Sequence, residues 1–591
     1  MLRTAGPHAR KGAFAGAVAG AAALLTAAPA AAEPVREIRF TDVAAEVGLR
    51  FRHDNAATPE RHFPETAEGG GAFLDADGDG RLDVYLVQGA PVAPREGGSD
   101  GRAAPANAFF RQTESGFFEE TGARLGVDDR GVGMGCCAAD VDNDGDPDLY
   151  VTNYGANALF ENAGGDRFSR VTEAAGVGGG RWSAGCAFGD FDRDGLVDLY
   201  VANYVDYDPQ NPVEEATPYV AVAGEYKGEV SGYPHPAFYP AQPDVLYRNE
   251  AGGRFADVTE TAGVLQPGGK GLGAAFADYD LDGWPDLYVA NDNVRNFLFH
   301  NEQGRFAEVG VLAGAAYGQT GRAEAGMGID WGDYDNDGRP DLAVTNFQRE
   351  PNSLLRNEGT GFFRDESFAS GSGEVSLPLL GFGVNFLDVD LDGRLDLFVA
   401  NGHVLDNAEL IDQSTTYRQR DLLLRNAGPG KYGATAFVDV SDRAGPALQR
   451  ARVGRGSARG DYDGDGDLDL LVVNLGEEAA LLRNDSAAGG WLRVRTVGGP
   501  SNRDGIGARV EIRTGRRRQV REIRAGSSYL TQSELAAHFG LGAAAAVDQL
   551  VVHWPSGSAD TLRDVAAGQV VTVIEGGTAS STQPHRLPGA H

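Results

Sequence analysis

An aspartate-rich pattern of nine residues occurs seven times in this chain of 591 residues and constrains its fold more than any other feature. Every copy carries Asp at positions 1, 3, 5 and 9 and Gly at position 6. The copies begin at Asp75, Asp140, Asp190, Asp278, Asp333, Asp388 and Asp461. Repetition at intervals of several tens of residues indicates an array of similar structural units rather than a set of unrelated domains.

The sequences on either side of the pattern also repeat and are typical of short β-strands. A Gly stands five residues before each first Asp, and in five copies an aromatic residue such as Phe73 or Trp331 stands two residues before it. A short apolar strand follows position 9, and two further strand-like segments separated by turns complete each repeat. Four strands per repeat predict β-propeller blades. We therefore predict an all-β fold in which residues 33–488 form a seven-bladed β-propeller.

The ring also has a sequence signal for its closure. Residues 40–43 resemble a fourth strand that has no blade before it, whereas the seventh repeat ends near Asn484 and lacks a fourth strand. We predict that the N-terminal segment completes the last blade, which removes the open sheet edges. The recurring Gly is expected where the innermost strands crowd the axis, and the aromatic residues are expected to fill the space between neighbouring blades.

The aspartate loops are predicted to bind calcium. Carboxylates at positions 1, 3, 5 and 9, together with the carbonyl of position 7, form an oxygen cage that suits Ca²⁺ better than Mg²⁺. Position 12 holds apolar strand residues such as Leu86 and Val151, so the loops are not EF-hands. Up to seven ions are expected. The candidate ligands, loop by loop, are Asp75, Asp77, Asp79 and Asp83; Asp140, Asp142, Asp144 and Asp148; Asp190, Asp192, Asp194 and Asp198; Asp278, Asp280, Asp282 and Asp286; Asp333, Asp335, Asp337 and Asp341; Asp388, Asp390, Asp392 and Asp396; Asp461, Asp463, Asp465 and Asp469.

These motifs resemble a known combination of domains. The repeats look like FG-GAP/VCBS repeats, the calcium-binding blades of integrin-α-type propellers. The region from Gly490 to Glu575 is similar to the ASPIC/UnbV domain, on the strength of residues 501–508, 519–523, 526–530, 532–534, 538–542 and 554–557. Together these matches imply a bacterial member of the cartilage acidic protein family. The resemblance specifies the domain organisation and leaves the biochemical function open.

The C-terminal region, residues 489–576, is predicted to form a small β-sandwich or β-barrel. It alternates short apolar strands over residues 491–497, 508–513, 519–524, 547–554 and 570–574. The run Arg516–Arg518 is compatible with a solvated turn, with docking on the acidic propeller or with nucleic acid. Because the whole chain has a formal charge of -33, a phosphate backbone is not expected as its partner. Residues 577–591 are predicted to be a disordered tail.

The N-terminus has the features of a secretory signal peptide over residues 1–32. Arg3, Arg10 and Lys11 precede an uncharged stretch, and the small residues before Glu33 provide a cleavage site. No other apolar run is long enough to span a bilayer. The protein is therefore expected to be exported to the periplasm or beyond the cell.

Export bears on the three cysteines. Cys137 and Cys186 occupy strand positions from which a disulfide can form, whereas Cys136 points to the other face of its strand. Buried free thiols are the alternative, and they are the state that we expect.

Candidate recognition residues lie on the face of the propeller opposite the calcium loops. Long insertions follow the second strand at residues 89–108, 204–243 and 402–420, and His53, His62, His235 and His403 should reach the same face. We predict an interaction module for an unknown protein or glycan partner. The alternative is an enzyme or an accessory protein of oxidative or secondary metabolism that uses this His-bearing face. The chain has no G-x-S-x-G, H-E-x-x-H or P-loop signature.

Overall fold

The computed structural model describes residues 37–93, 105–213, 218–220, 229–430, 433–486 and 489–583. The signal peptide predicted over residues 1–32 lies outside these ranges, as do residues 584–591 of the predicted tail. No helix in these ranges is long and apolar enough to cross a membrane.

Seven units of four antiparallel strands follow one another along the chain, and we call them blades 1 to 7. Residues 154–156 of blade 2 also pair with residues 179–182 of blade 3, which joins these two blades into one eight-stranded sheet. Blades 1 to 3 consist of Gly71–Leu74, Asp83–Leu86, Ala108–Gln112 and Phe118–Glu120; Val132–Ala139, Asp148–Ala156, Ala158–Asn162 and Phe168–Arg170; Gly179–Gly189, Asp198–Asn203, Val245–Asn249 and Phe255–Asp257. Blades 4 to 7 consist of Gly271–Ala277, Asp286–Asn291, Phe297–Asn301 and Phe306–Glu308; Ile329–Gly332, Asp341–Val344, Ser353–Asn357 and Phe363–Asp365; Gly381–Leu387, Asp396–Asn401, Leu422–Pro429 and Thr435–Asp439; Gly454–Gly460, Asp469–Asn474, Ala480–Asn484 and Phe40–Asp42.

The blades form a closed ring, which is the arrangement of a β-propeller. The first strand of each blade contacts the first strand of the next, and that of blade 7 contacts that of blade 1. The N-terminal strand completes blade 7, where Phe40 pairs with Asn484 and Asp42 pairs with Leu482. Phe40 is fully buried in the core shared by blades 6 and 7. The all-β class and the closing strand predicted from the sequence are therefore present in the structure.

Aromatic residues two positions before the aspartate loops pack between blades, as the sequence indicated. Phe73 joins the core residues of blade 7, and Trp331 lies with its ring centroid 6.1 Å from that of Tyr288 in blade 4. Phe386 packs in the same way on Tyr334 of blade 5. The first strands of blades 1, 5 and 6 are thereby fixed against the preceding blade.

Short helices, which the sequence analysis did not predict, lie in the connections between blades and in the insertions of blades 3 and 6. Five end at a left-handed glycine, for example Gly126 with φ 85° and Gly263 with φ 89°. The glycine of the segment that closes blades 1 to 5 therefore serves as a helix C-terminal residue, a position that favours the absence of a β-carbon. The helices are Gly122–Leu125, Thr172–Ala175, Thr259–Ala262, Gly310–Ala313, Ser367–Ser370, Ser372–Ser376, Ala408–Ile411 and Pro446–Gln449, with 3₁₀ turns at Phe63–Thr66, Pro236–Phe238 and Ser441–Arg443. In the second insertion, Pro218–Val220 and Glu229–Ser231 form a two-stranded ribbon.

The C-terminal domain is a sandwich of two four-stranded sheets. One sheet contains Ala537–Gly542, Gly490–Val497, Gln569–Ile574 and Ser580–Thr582; the other contains Arg517–Glu522, Arg509–Thr514, Ala546–His553 and Ala559–Ala566. Ser580–Thr582 pairs with Val570–Thr572, so ordered structure extends beyond residue 576 into the segment predicted to be a disordered tail. The sequence analysis missed this strand and also Ala537–Gly542 and Ala559–Ala566. Gly-rich and exposed strands such as these lack a clear apolar alternation.

Residues 525–533 of the C-terminal domain fill the axis of the propeller, and we call this loop the plug. Ser528 forms a β-bridge with Ile329 of blade 5, and Thr531–Gln532 pairs in parallel with Gly71–Ala72 of blade 1. Further hydrogen bonds join Leu530 O to Cys136 N (3.2 Å), Ala525 O to Phe188 N (3.0 Å), Ser528 Oγ to Val384 N (2.9 Å) and Thr531 Oγ1 to Ser457 O (2.7 Å). The plug thus satisfies backbone groups of innermost strands that face the axis.

The plug explains part of the glycine repeat. A β-carbon on Gly70 would lie 2.6 Å from Leu530 O, and one on Gly328 would lie 2.1 Å from Phe382 O of the next blade. Neither position has room for a side chain, because backbone atoms of the neighbouring blade or of the plug occupy the space. The crowding expected from the sequence therefore has two sources, the adjacent strands and the C-terminal domain.

Cys137 and Cys186 form a disulfide that joins the first strands of blades 2 and 3. Our prediction of free thiols is wrong for this pair, whereas Cys136 is a buried free thiol. Side-chain alternation explains the pairing, because Cys136 and Cys137 point to opposite faces of their strand and only Cys137 faces blade 3.

Candidate metal centres

Each aspartate loop is shaped by hydrogen bonds from its own backbone to its carboxylates. In blade 2, Gly145 N donates to Asp140 Oδ2 (2.7 Å), and Asp144 N donates to Asp142 Oδ1 (3.2 Å). The same bond from the glycine N–H to the first carboxylate occurs in blades 1, 3, 4, 5 and 6. These bonds turn the carboxylates of positions 1, 3 and 5 toward the inside of the loop.

The aspartate at position 9 also holds the blade together. In blade 5, Asp341 Oδ2 accepts from Tyr334 N (3.2 Å) and Oδ1 accepts from Asn357 N (2.8 Å), which ties the loop to the third strand. Equivalent pairs of bonds occur at the other six position-9 aspartates, for example Asp396 and Asp469. Each carboxylate oxygen retains a second lone pair, so this structural role is compatible with metal ligation.

Carboxylate oxygens from the loops converge closely enough to share one cation. Ligand atoms of Asp75, Asp77 and Asp79 lie within 4.8 Å of one another, as do those of Asp190, Asp192 and Asp194. Five loops also contain a buried carboxylate oxygen that has no hydrogen-bond partner: Asp75 Oδ1, Asp192 Oδ1, Asp278 Oδ1, Asp333 Oδ1 and Asp461 Oδ1. Buried carboxylates without partners are costly, and a hard cation is the group that satisfies several of them at once. The residues therefore fit calcium.

The electrostatics of the loops are consistent with an added positive charge. Burial raises the pKa of Asp140, Asp190 and Asp388 to about 7, and the other carboxylates of each loop contribute further. Burial raises the pKa of Asp83 and Asp148 at position 9 to about 8. A divalent cation among these groups would favour their ionised forms.

A basic residue on the third strand accompanies most loops, and the sequence analysis overlooked it. Arg356 lies 2.6 Å from Asp335, and Arg425 lies 2.8 Å from Asp390. The same strand position, directly before the recurring Asn, holds His300 in blade 4, whose Nδ1 lies 3.1 Å from Asp286. The signal was present in the sequence as a recurring Arg-Asn pair, although its meaning depends on knowing that the third strand runs beside the loop.

The repeats and the C-terminal sandwich match known family models. The model of the FG-GAP-like repeat matches residues 75–151, 140–201, 237–289, 278–344 and 333–399, and the model named ASPIC and UnbV matches residues 498–580. The chain is an FG-GAP repeat protein with an ASPIC/UnbV domain. The family resemblance seen in the sequence is thereby confirmed.

Individual proteins with related sequences are also known. Cartilage acidic protein 1 of Homo sapiens is 30% identical over 328 residues, which cover 54% of this chain and 46% of that protein. The Mus musculus protein of the same name is 29% identical, and the match covers 54% of this chain and 47% of that protein. The match thus spans about half the length of these relatives. An Agrocybe aegerita lectin that recognises non-reducing terminal N-acetylglucosamine aligns with 66% of this chain and 88% of its own, with 14% identity and a TM-score of 0.34.

The ASPIC/UnbV domain covers the face of the propeller that carries the aspartate loops. Arg495 pairs with Asp75 of blade 1 (3.0 Å), and Arg493 pairs with Asp461 of blade 7 (3.2 Å). Asp504 Oδ2 accepts from Asp140 N of blade 2 at 2.8 Å. Further contacts involve the loops of blades 3, 7 and 6: Arg193 Nε donates to Pro555 O (2.6 Å), His538 Nε2 lies 2.8 Å from Gly466 O, and Arg517 donates to Asp392 O. The first aspartates of several loops therefore face this domain rather than solvent.

The basic run predicted to dock, to be solvated or to bind nucleic acid is divided between two roles. Arg517 contacts the loop of blade 6, and Arg516 is exposed. Arg518 pairs with Glu511 of its own domain (2.7 Å), and its guanidinium also lies against Gly338 in the loop of blade 5. Docking on the acidic propeller therefore involves two of the three residues.

The four predicted histidines have separate partners. His53 is buried with Nε2 3.8 Å from Glu68 Oε2, and His62 Nδ1 lies 2.9 Å from the Tyr207 hydroxyl. His235 and His403 line one cavity, which is described below. The structure thus brings two of the four to a common space.

The insertion face, opposite the aspartate loops, contains a cavity of about 410 Å³ at the mouth of the propeller axis. Its walls come from blades 3 to 6 and from the segment that leads into blade 1, and Tyr529 of the plug is one of its lining residues. Phe63, Tyr204, Phe347 and Phe382 supply much of the apolar surface. A concave, largely apolar space with a few polar groups has the character of a ligand site.

Proposed function

We propose that this protein is an exported, calcium-binding β-propeller that acts as an interaction module and recognises a protein or carbohydrate partner on its insertion face. The observation that carries the calcium assignment is the set of loop carboxylates in which one buried oxygen has no hydrogen-bond partner. In this proposal the ions fix the turn between the first two strands of each blade. The twenty-eight aspartates identified in the sequence are the proposed ligands.

The choice of the recognition face follows from the position of the ASPIC/UnbV domain. Its contacts with the loops of blades 1, 2 and 7 occupy the opposite face. The described parts of the long insertions, the cavity and exposed apolar side chains such as Phe238 and Leu410 remain on the insertion face. Loops displayed on a rigid scaffold commonly carry recognition, and apolar anchors contribute most to affinity.

Export is supported by the N-terminal sequence and by the disulfide between Cys137 and Cys186. Structural disulfides form and persist in oxidising compartments. The periplasm or the cell exterior is therefore the proposed location. The similarity to cartilage acidic protein 1 supports the assignment to an interaction module and does not identify the partner.

Replacing Phe238 and Leu410 together by Ala should weaken partner binding by about tenfold, because losing apolar anchors at an interface costs about 1–2 kcal/mol. Phe238 is 49% exposed and Leu410 is 37% exposed, so folding and calcium content should not change. The measurement is quantitative retention of envelope proteins and of an immobilised glycan array by the wild type and the double variant.

The matched control is Phe117→Ala with Phe362→Ala, which removes two exposed aromatic rings from turns between third and fourth strands. This control should bind as the wild type does. Equal retention by the insertion-face variant and the wild type would place the recognition surface elsewhere.

A further inference from the structure

Two acidic side chains line the cavity on the insertion face close to one another. Asp292 is almost completely buried, and its carboxylate accepts hydrogen bonds from the Tyr204 hydroxyl and from Asn293 Nδ2 (2.6 Å). Glu350 lines the same cavity and accepts a bond from Ala325 N at 2.9 Å. Burial raises the pKa of both groups, and the charge of Asp292 contributes to the shift at Glu350. Each carboxylate retains lone pairs for a further donor.

The positive groups around the cavity are engaged with other partners. Arg349 is the one arginine among the lining residues, and it pairs with Asp412 at 2.6 Å. Lys270, which lies near Asp292, donates its ammonium to Pro236 O at 2.7 Å. Arg455 is fully buried behind the ring of Phe382 and donates to Thr66 O, Gly402 O and Gly454 O. Lys270 and Arg455 keep their charges, but these N–H groups donate to carbonyl oxygens, so the acidic pair supplies the hydrogen-bond acceptors for a ligand.

The two lining histidines act as neutral groups. His235 Nδ1 accepts a hydrogen bond from Ala237 N (3.1 Å), and His403 Nδ1 accepts one from Leu405 N (3.0 Å). Burial lowers the pKa of His403 to about 4 and lowers that of His235 as well. Because Nδ1 accepts in each ring, the proton lies on Nε2, and neither ring contributes positive charge at neutral pH.

Aromatic rings complete the cavity beside these acids. Phe63 and Tyr204 have ring centroids 5.5 Å apart, and Tyr529 of the plug packs 4.8 Å from Phe382. Ring faces attract cations, and they attract them more strongly where water is excluded. Carboxylates next to aromatic faces are thus complementary to an organic cation with an apolar body.

From this arrangement we propose that the cavity binds a small organic amine, a cationic nitrogen carried on an aromatic or aliphatic body, with Asp292 and Glu350 as its anchors. The inference deepens the proposed function and rests on the insertion face being the recognition face. The apolar body lies against Phe63, Phe347 and Phe382. The plug supplies Tyr529, so the site requires the ASPIC/UnbV domain for its completion.

The test is titration calorimetry of the full chain in calcium-containing buffer at pH 7 with three probes of similar size. Phenethylamine carries a positive charge, 2-phenylethanol is neutral and phenylacetate is negative. The amine should bind at least about tenfold more tightly than the alcohol, and phenylacetate should bind most weakly. Equal affinity for amine and alcohol, tighter binding of phenylacetate or no binding of any probe would overturn the proposal.

Variants identify the anchors. Asp292→Asn and Glu350→Gln should each weaken phenethylamine binding by about tenfold and leave 2-phenylethanol within about twofold, because only the charge is removed. Glu260→Gln, at an exposed acid of a blade connection, is the matched control and should change nothing. If Asp292→Asn does not fold, Glu350→Gln alone decides, and unchanged amine affinity in that variant contradicts the assignment.

The outcome is separable from the test of the proposed function. Partner retention by the Phe238 and Leu410 variant does not depend on an amine. Conversely, the calorimetry requires no partner. A failed amine titration with reduced partner retention would overturn this inference and leave the recognition face in place.

Discussion

Removing calcium with EDTA lowers the melting temperature of the protein by more than about 10 °C. Each ion that binds only the folded chain contributes about 2.7 kcal/mol when its concentration is about 100 times the dissociation constant, and up to seven loops contribute. Without the ions, carboxylates such as Asp333 and Asp341 repel one another inside a buried loop. The measurement is a calorimetric melting curve in EDTA and in calcium.

Two controls separate calcium from other effects of the chelator. EDTA that has been saturated with calcium should leave the melting temperature unchanged. Excess magnesium should restore only part of it, because Mg²⁺ requires a stricter octahedral geometry and retains its waters. Identical melting curves with and without EDTA would contradict a stabilising role for calcium.

Replacing Tyr529 by Ala lowers the free energy of unfolding by about 3–5 kcal/mol, the usual cost of removing a large buried ring. Tyr529 has no exposed surface, packs against Phe382 and donates its hydroxyl hydrogen bond to Ala67 O at 2.9 Å. The substitution therefore leaves a cavity at the axis, where innermost strands meet the plug. Chemical denaturation in calcium is the measurement.

The conservative variant Tyr529→Phe should lose about 1 kcal/mol, because it keeps the ring and removes only the hydrogen bond. Arg516→Ala, at an exposed residue of the same domain, should stay within about 0.5 kcal/mol of the wild type. A Tyr529→Ala variant as stable as the wild type would mean that the plug adds nothing to the propeller.

Local repetition made the fold predictable from the sequence. Each aspartate loop recurs with a glycine five residues earlier and, in most copies, an aromatic residue two residues earlier. Because these positions keep the same spacing from the strands, comparison of the copies gives the strand pattern of a blade. The closing strand was visible because residues 40–43 match a fourth strand out of order. Such signals are local and repeated, and they need no knowledge of long-range contacts.

The plug and the covered face were not predictable in the same way. Ser528, Tyr529 and Leu530 form a short segment without periodicity, and the side chains of Ser528 and Tyr529 have hydrogen-bond partners 71 to 462 residues away in the sequence. The choice between free thiols and the disulfide of Cys137 and Cys186 also depended on the approach of two blades. Contacts between separate units leave little trace in one sequence, because each side is compatible with several environments.

The candidate metal loops could be predicted directly from the sequence, whereas the cavity could not. The spacing of the aspartates fixes which oxygens converge, because all of them belong to one turn. Asp292, Glu350 and Tyr529 come from blade 4, blade 5 and the C-terminal domain, and no pattern in the sequence links them. Only the closed ring brings them to one space.

Calcium stoichiometry is the most direct test of the central claim that the aspartate loops are calcium sites. The protein is dialysed exhaustively against buffer that contains a low, known concentration of calcium and no other divalent metal. Bound metals are then measured by plasma mass spectrometry, with the dialysis buffer as the blank, and are expressed per protein chain. We predict close to seven calcium ions per chain and a loss of about one ion in the Asp333→Ala variant. Fewer than about one calcium per chain, or a stoichiometric transition metal in its place, would contradict the account.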